Sequence, residues 1–134
     1  MTSATALNAL ADRVEQGSGE DRELDAQVWL ALTPGATRKA LHIDHPKGAY
    51  TIDETRDASR RLIIVPSYTT DLTAVMPLIE RVVPAGTNWK LHGTTGDGAA
   101  ASAHLMQQSG YAWSPERALT AALLRAAAAQ IGEG

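Results

Sequence analysis

Apolar residues recur at helical spacing in four places along the 134-residue chain. In ATALNALADRVEQ, Leu7, Leu10, Ala11 and Val14 share one face, and Gly17-Ser18-Gly19 ends the pattern, which predicts a short first helix. EDRELDAQVWLALTPG predicts a second: Leu24, Val28, Ala31 and Leu32 make a stripe, and Pro34-Gly35 stops it. Glu20, Asp21 and Glu23 at its start complement the positive end of the helix dipole, as a solvated face or as an acidic docking surface. In VPSYTTDLTAVMPLIERVVP, Leu72, Val75, Met76, Ile79, Val82 and Val83 follow the same spacing. Thr69 or Thr70 is the expected N-cap, Asp71 the dipole partner, and Tyr68 a packing residue with a polar tip. Pro77 has no amide hydrogen, which predicts a kink or a helix that restarts with Pro77 in its first turn. The last segment, WSPERALTAALLRAAAAQIGEG, has Ser114 as N-cap and Pro115 at the first helical position, where a missing N–H costs nothing. Leu119, Ala122, Leu123, Ala126, Ala127 and Ile131 are its expected buried face.

Between the helices the period shortens. RKALHID and RRLIIV read as short strands, with PKGAY and DETRDAS supplying turns, so a hairpin or two strands with a mobile connection over residues 44–60 is expected. AGTNWKLHGTTGDGAAASAHLMQQSGYAW reads as strand, Gly-rich turn, strand, with Asp97-Gly98 at the turn. If Trp89 and Leu91 face Ala103 and Leu105 across that pair, Lys90 and His92 share the opposite face with Ser102 and His104. The expected fold is α+β: one domain over residues 1–134, with a small, mainly antiparallel sheet of three to four strands packed with about four helices.

Composition narrows the chemistry. There are no cysteines, which excludes disulfides, thiolate nucleophiles and cysteine-ligated metal centres. No apolar run reaches the roughly 18 to 20 residues that span a bilayer, and the N-terminus lacks the basic start and apolar core of a signal peptide, so an intracellular, membrane-free protein is expected. A net charge of -3 removes the usual electrostatic drive for general nucleic-acid binding. Phenylalanine is absent and alanine abundant, so the core must draw on aliphatic, Trp and Met side chains, with backbones approaching closely where alanine lines a face. The Ala-rich last helix fits either that core or a contact between copies in a homo-oligomer.

Three segments, RELDAQV, PSYTTDLTAVMPLIERV and SPERALTAALLRA, taken in that order and spacing with Asn88-Trp89 after the second, resemble the phage ABA sandwich domain family of small phage and prophage proteins. The resemblance covers residues 22–128. It implies a phage or prophage origin and a sheet covered by helices; it implies no reaction and carries no catalytic residues. With the intracellular reading above, the expected location is the cytoplasm of the bacterial host. Pro77 and residues 38–61 depart from the family pattern.

Candidate chemistry is sparse. In HIDH, His42 and Asp44 share a strand face while His45 points away, and no further ligand is set by spacing, so no metal is expected there. His92 and His104 on one polar face could hold a metal, titrate together or meet an anion with Lys90; the plainer reading is a polar sheet face. GTTGDG has no helix after it and so reads as a turn rather than a phosphate cradle. No G-x-S-x-G elbow is present, and Asp53 and Glu54, adjacent on a turn-like segment, diverge. Arg56, Arg60 and Arg61, with Arg38 and Lys39 near by strand pairing, form the one local basic cluster, either a charged strand edge or a contact for an acidic surface or small phosphorylated ligand.

The leading expectation is therefore a binding protein without catalytic activity and without a cofactor, acting on a host protein such as a component of a defence system. A second reading is a small-ligand binder for a nucleotide signal, with Tyr68 and Trp89 stacking on a base and Lys90 or Arg117 meeting phosphate. A third is a hydrolase or metal enzyme built on His92 and His104.

Overall fold

The computed structural model describes residues 3–17, 19, 21–32, 41–44, 49–56, 59–64, 66–93 and 101–132, with backbone and strand pairing alone between residues 41 and 64. Among the described residues, four helices and six strands occur in the order α1 (Ala4–Gln16), α2 (Arg22–Leu32), β1 (Leu41–Asp44), β2 (Ala49–Arg56), β3 (Ser59–Ile64), α3 (Leu72–Val82), β4 (Trp89–Gly93), β5 (Ala101–Leu105), β6 (Gln108–Ala112) and α4 (Pro115–Gly132). The strands form two antiparallel three-stranded meanders, β1-β2-β3 and β4-β5-β6. The α+β class is as expected. The middle strand β2 runs through Ala49–Arg56, where turn residues had pointed to a connection; residues 45–48 and 57–58 of the expected mobile 44–60 region lie outside the described residues.

α4 is the centre of the molecule. It packs against α1 and α3 and also against β5 and β6, so apolar side chains face nearly all round it. Ala118, Leu119, Ala121, Ala122, Leu123, Leu124 and Ala126 are all buried. Ile131, expected on the buried face, is instead exposed near the helix end. A helix enclosed on several sides needs no single apolar stripe.

Its alanines set how close the sheet comes. Gly110 of β6 lies so near α4 that a Cβ there would sit 2.0 Å from the Ala118 carbonyl oxygen. Ala101, Ala103 and Ala112 continue the same small, buried layer, and Leu105 completes it.

The helix ends follow one scheme. Ser3 caps α1 by accepting from the Ala6 N–H, and Ser114 caps α4 by accepting from the Arg117 N–H. At α3 the cap is Asp71, which accepts from the Thr73 N–H at 2.9 Å, and not Thr69 or Thr70. Thr69 is unavailable because it is buried and its hydroxyl accepts from the Asp21 N–H. α3 continues through Pro77 without restarting. Pro77 and Thr73 are both exposed, so water can reach the Thr73 carbonyl that Pro77 leaves without a partner.

Three helix C-termini are each held by a long side chain from another helix. Arg117 of α4 donates to Val14 O at 3.0 Å and Gly19 O at 2.9 Å, closing α1. Arg81 of α3 donates to Leu32 O at the end of α2, and Gln130 of α4 donates to Val82 O at the end of α3. Each satisfies carbonyls that have no partner within their own helix, and the two arginines also meet the negative dipole end.

Candidate functional site: the open face of the second sheet

β4, β5 and β6 pair in the register Trp89↔Leu105, Lys90↔His104, Leu91↔Ala103 and His92↔Ser102, then Ser102↔Tyr111 and His104↔Ser109. This is the register expected from the alternation of small and polar residues. Ala101, Ala103 and Leu105 are buried toward α4, and the opposite face carries Lys90, His92, Ser102, His104, Ser109 and Tyr111.

On that face three rings cross the three strands. His92 and His104 stand with centroids 6.2 Å apart and planes at 66°, and His104 and Tyr111 with centroids 5.9 Å apart and planes at 81°. His104 Nδ1 lies 3.0 Å from Ser109 Oγ on the neighbouring strand. Tyr111 is 61% exposed, and Trp113, just beyond β6, is 59% exposed. Such a row of rings is aromatic, polar and weakly basic.

β6 is held from below. Glu15 of α1 accepts from the Tyr111 N–H at 2.7 Å and from both terminal nitrogens of Arg125 on α4, and Arg125 also donates to Ser109 O and Asp12. The hydrogen bond from Arg125 is the chief reason the Glu15 carboxyl lies below the usual carboxylate range, with the Tyr111 amide adding to it against partial burial. An outward-facing amide of an edge strand is thereby given a partner, and the sheet is fastened to both α1 and α4.

The other expected site residues are scattered. Tyr68 is 2% exposed, and burial pushes its phenol up to about 12, so its ring belongs to the core and is not a base-stacking platform. Trp89 is half-buried on the α4 side of β4, opposite in sense to Lys90, so the two cannot grip one nucleotide from one face. Arg117 is buried as the clamp on α1 and does not meet phosphate. Arg60 and Arg61 lie on β3 opposite Thr55 and Glu54, with side chains outside the described residues. The same holds for the side chains of His42 and Asp44 on β1, and His45 is outside altogether.

The Ser109–His104 contact has the length of a nucleophile–base hydrogen bond. It joins Nδ1 on an open sheet surface, and among the described residues the ring's neighbours there are His92 and Tyr111 rather than a carboxylate that would orient it as a base. Among the described residues no group of three His, Asp or Glu side chains is gathered to hold a metal ion. Ser109, Tyr111 and Trp113 were not singled out from sequence. The alternation Ser109-Gly110-Tyr111-Ala112-Trp113 carried the signal, an outward polar or aromatic residue at every second position.

A second polar cluster is internal. Asp25, fully buried, accepts from the Thr69 N–H at 2.8 Å; the Asp21 N–H donates to Thr69 Oγ1; and Thr120 Oγ1 donates to Tyr68 O at 3.3 Å. It joins α2, the turn before α3, and α4, and its burial makes it an architectural junction. Compared with protein-family models, with curated proteins and with solved structures, the chain matches none.

Proposed function

We propose that the chain is a non-catalytic binding protein that docks the open face of β4–β6 onto a partner protein. The observation that carries this reading is the pair of exposed aromatics, Tyr111 on β6 and Trp113 just beyond it, at 61% and 59%, with Tyr111 edge-on to His104 on the face that also carries Lys90 and His92. Tyrosine and tryptophan supply large contact area with few rotatable bonds and are the residues that most often dominate binding energy at interfaces. The face is rigidly backed, since its strands are fastened by Glu15, Arg125 and the close Gly110 contact. The resemblance of the three helix-start segments to small phage proteins supports a partner in the bacterial host, with a defence component as the most specific form and the host cytoplasm as the place. Among the described residues no helix is long and apolar enough to cross a membrane.

The test is capture of host proteins by the immobilised chain and by a Tyr111→Ala/Trp113→Ala variant whose fold is verified by circular dichroism. A partner held by the parent and lost by the variant supports the reading. Equal capture by both, or a melting-temperature rise with a nucleotide and no protein partner, overturns it.

A further inference from the structure

We propose that His92 and His104 form a two-imidazole chelate for a transition-metal dication of the Zn2+ and Ni2+ type on the open sheet face. The site goes beyond the docking reading, and neither depends on the other.

The geometry is the first support. The two histidines lie on adjacent strands, one pairing with Ser102 and the other with Lys90, and their ring centroids are 6.2 Å apart. A metal about 2.1 Å from each coordinating nitrogen lies about 3.2 Å from each ring centroid, so shared rings stand about 5.2 Å apart at a tetrahedral angle and about 6.4 Å apart in line. The observed separation falls within that span, toward its open end. His92 is exposed, so rotation of its ring about the side-chain torsions can close the angle while the backbone register stays as it is.

The second support is the hydrogen bond behind the ligand. His104 Nδ1 and Ser109 Oγ lie 3.0 Å apart, a contact in which either atom can donate; in the tautomer with the proton on Nδ1 the ring donates to Ser109, and the Nε2 lone pair is available to a metal. Metal-ligating histidines are oriented in this way by a partner on the other ring nitrogen. Tyr111, edge-on to the same ring, restricts its tilt further.

The donor set selects the metal. Imidazole suits zinc, nickel and copper, whereas magnesium and calcium require oxygen ligands, and among the described residues of β4–β6 the face carries hydroxyls but no carboxylate. Lys90 stands directly opposite His104 and opposes a cation, but it is exposed, so its ammonium can turn away and is screened by salt. Two protein ligands leave the remaining coordination positions to water or to a donor from a bound partner.

The experiment is calorimetric titration of the full chain with ZnCl2 and with NiCl2, together with its melting temperature in each metal. One ion per chain is expected, with a raised melting temperature. His92→Ala and His104→Gln should each weaken binding by about tenfold or more, and Ser109→Ala by up to about tenfold, through loss of the orienting bond. A His42→Ala/His45→Ala variant should bind as the parent does. Absence of binding overturns the proposal, as does undiminished affinity in His92→Ala, whose exposed position leaves the fold intact, or loss confined to the His42/His45 variant.

Discussion

Gly110→Ala tests the close packing of β6 on α4. The added Cβ would sit 2.0 Å from Ala118 O, 2.9 Å from Ala122 N and 3.0 Å from Ala118 C, all backbone atoms of the central helix. A carbon atom needs more than 3 Å from such neighbours, so β6 and α4 must separate by about 1 Å, and neither a rotamer change nor a flexible side chain can absorb it. Overpacking costs about 1 to 3 kcal/mol and sometimes more; a rigid backbone obstacle on both sides places this case at about 3 kcal/mol or above. The opposing gain from replacing glycine in a strand is only about 0.5 to 1 kcal/mol. Urea unfolding of the variant should therefore show a midpoint lowered by about 1 M or more, given slopes of about 1 to 3 kcal/mol per molar. Gly93→Ala, where an added Cβ meets nothing within 4 Å, is the control and should stay within about 0.5 kcal/mol of the parent. A Gly110→Ala midpoint equal to the parent's, or a Gly93→Ala variant as unstable as Gly110→Ala, refutes the close helix–sheet contact.

Three further outcomes are expected. Met106 and Gln107, the two turn residues between β5 and β6, have φ of 49° and 65°; Gln107 is exposed, so Gln107→Gly should raise the unfolding free energy by about 0.5 to 1 kcal/mol in denaturant melts. The Glu15 carboxyl is depressed by Arg125, so its contribution is complete above the unfolded value near 4.5 and is lost as pH falls through the lower folded value; Glu15→Gln should flatten stability against pH in that acidic window when melts are compared. Tyr68 is raised from 10.0 to about 12, so the unfolded phenol ionises first and stability falls as pH rises between these values; an ultraviolet phenolate titration should show one tyrosine ionising late, and Tyr68→Phe should remove that step.

The parts legible in the sequence are those in which local chemistry and final environment agree. α1 buries Leu7, Leu10, Ala11 and Val14, the four residues its spacing marks, because only one side of it meets the core. Ser114 and Pro115 begin α4 because cap chemistry is local. The β4–β5 register follows from alternation alone, since a one-residue slip would turn Ala103 and Leu105 outward. β6 was obscured because its hairpin turns through Met106-Gln107 rather than through Asn-Gly or Asp-Gly, and β2 because its residues include Asp53, Glu54 and Arg56, which favour turns and exposed surface. The true cap of α3 was hidden for a tertiary reason: Thr69 is drawn into contact with Asp21 and Asp25, which lie more than forty positions earlier.

The buried arginine at position 117 carries that last point furthest. By composition alone it was a candidate phosphate contact, yet it is 1% exposed and spends its two terminal nitrogens on Val14 O and Gly19 O. The carbonyl end of α1 supplies part of the negative potential that a carboxylate would otherwise provide. Gly17 leaves the guanidinium room, because a Cβ there would approach Arg117 Nη1 to 2.6 Å and push it off its two carbonyl partners. Removing the cation by Arg117→Met should cost about 2 to 4 kcal/mol, since two charge-assisted hydrogen bonds are lost and the buried Val14 carbonyl loses its donor. Gly17→Ala should be costly in the parent and far less so in the Arg117→Met background, because the group it collides with is gone. A double-mutant cycle in urea reads that difference directly. Strictly additive effects would mean that Gly17 and Arg117 do not meet.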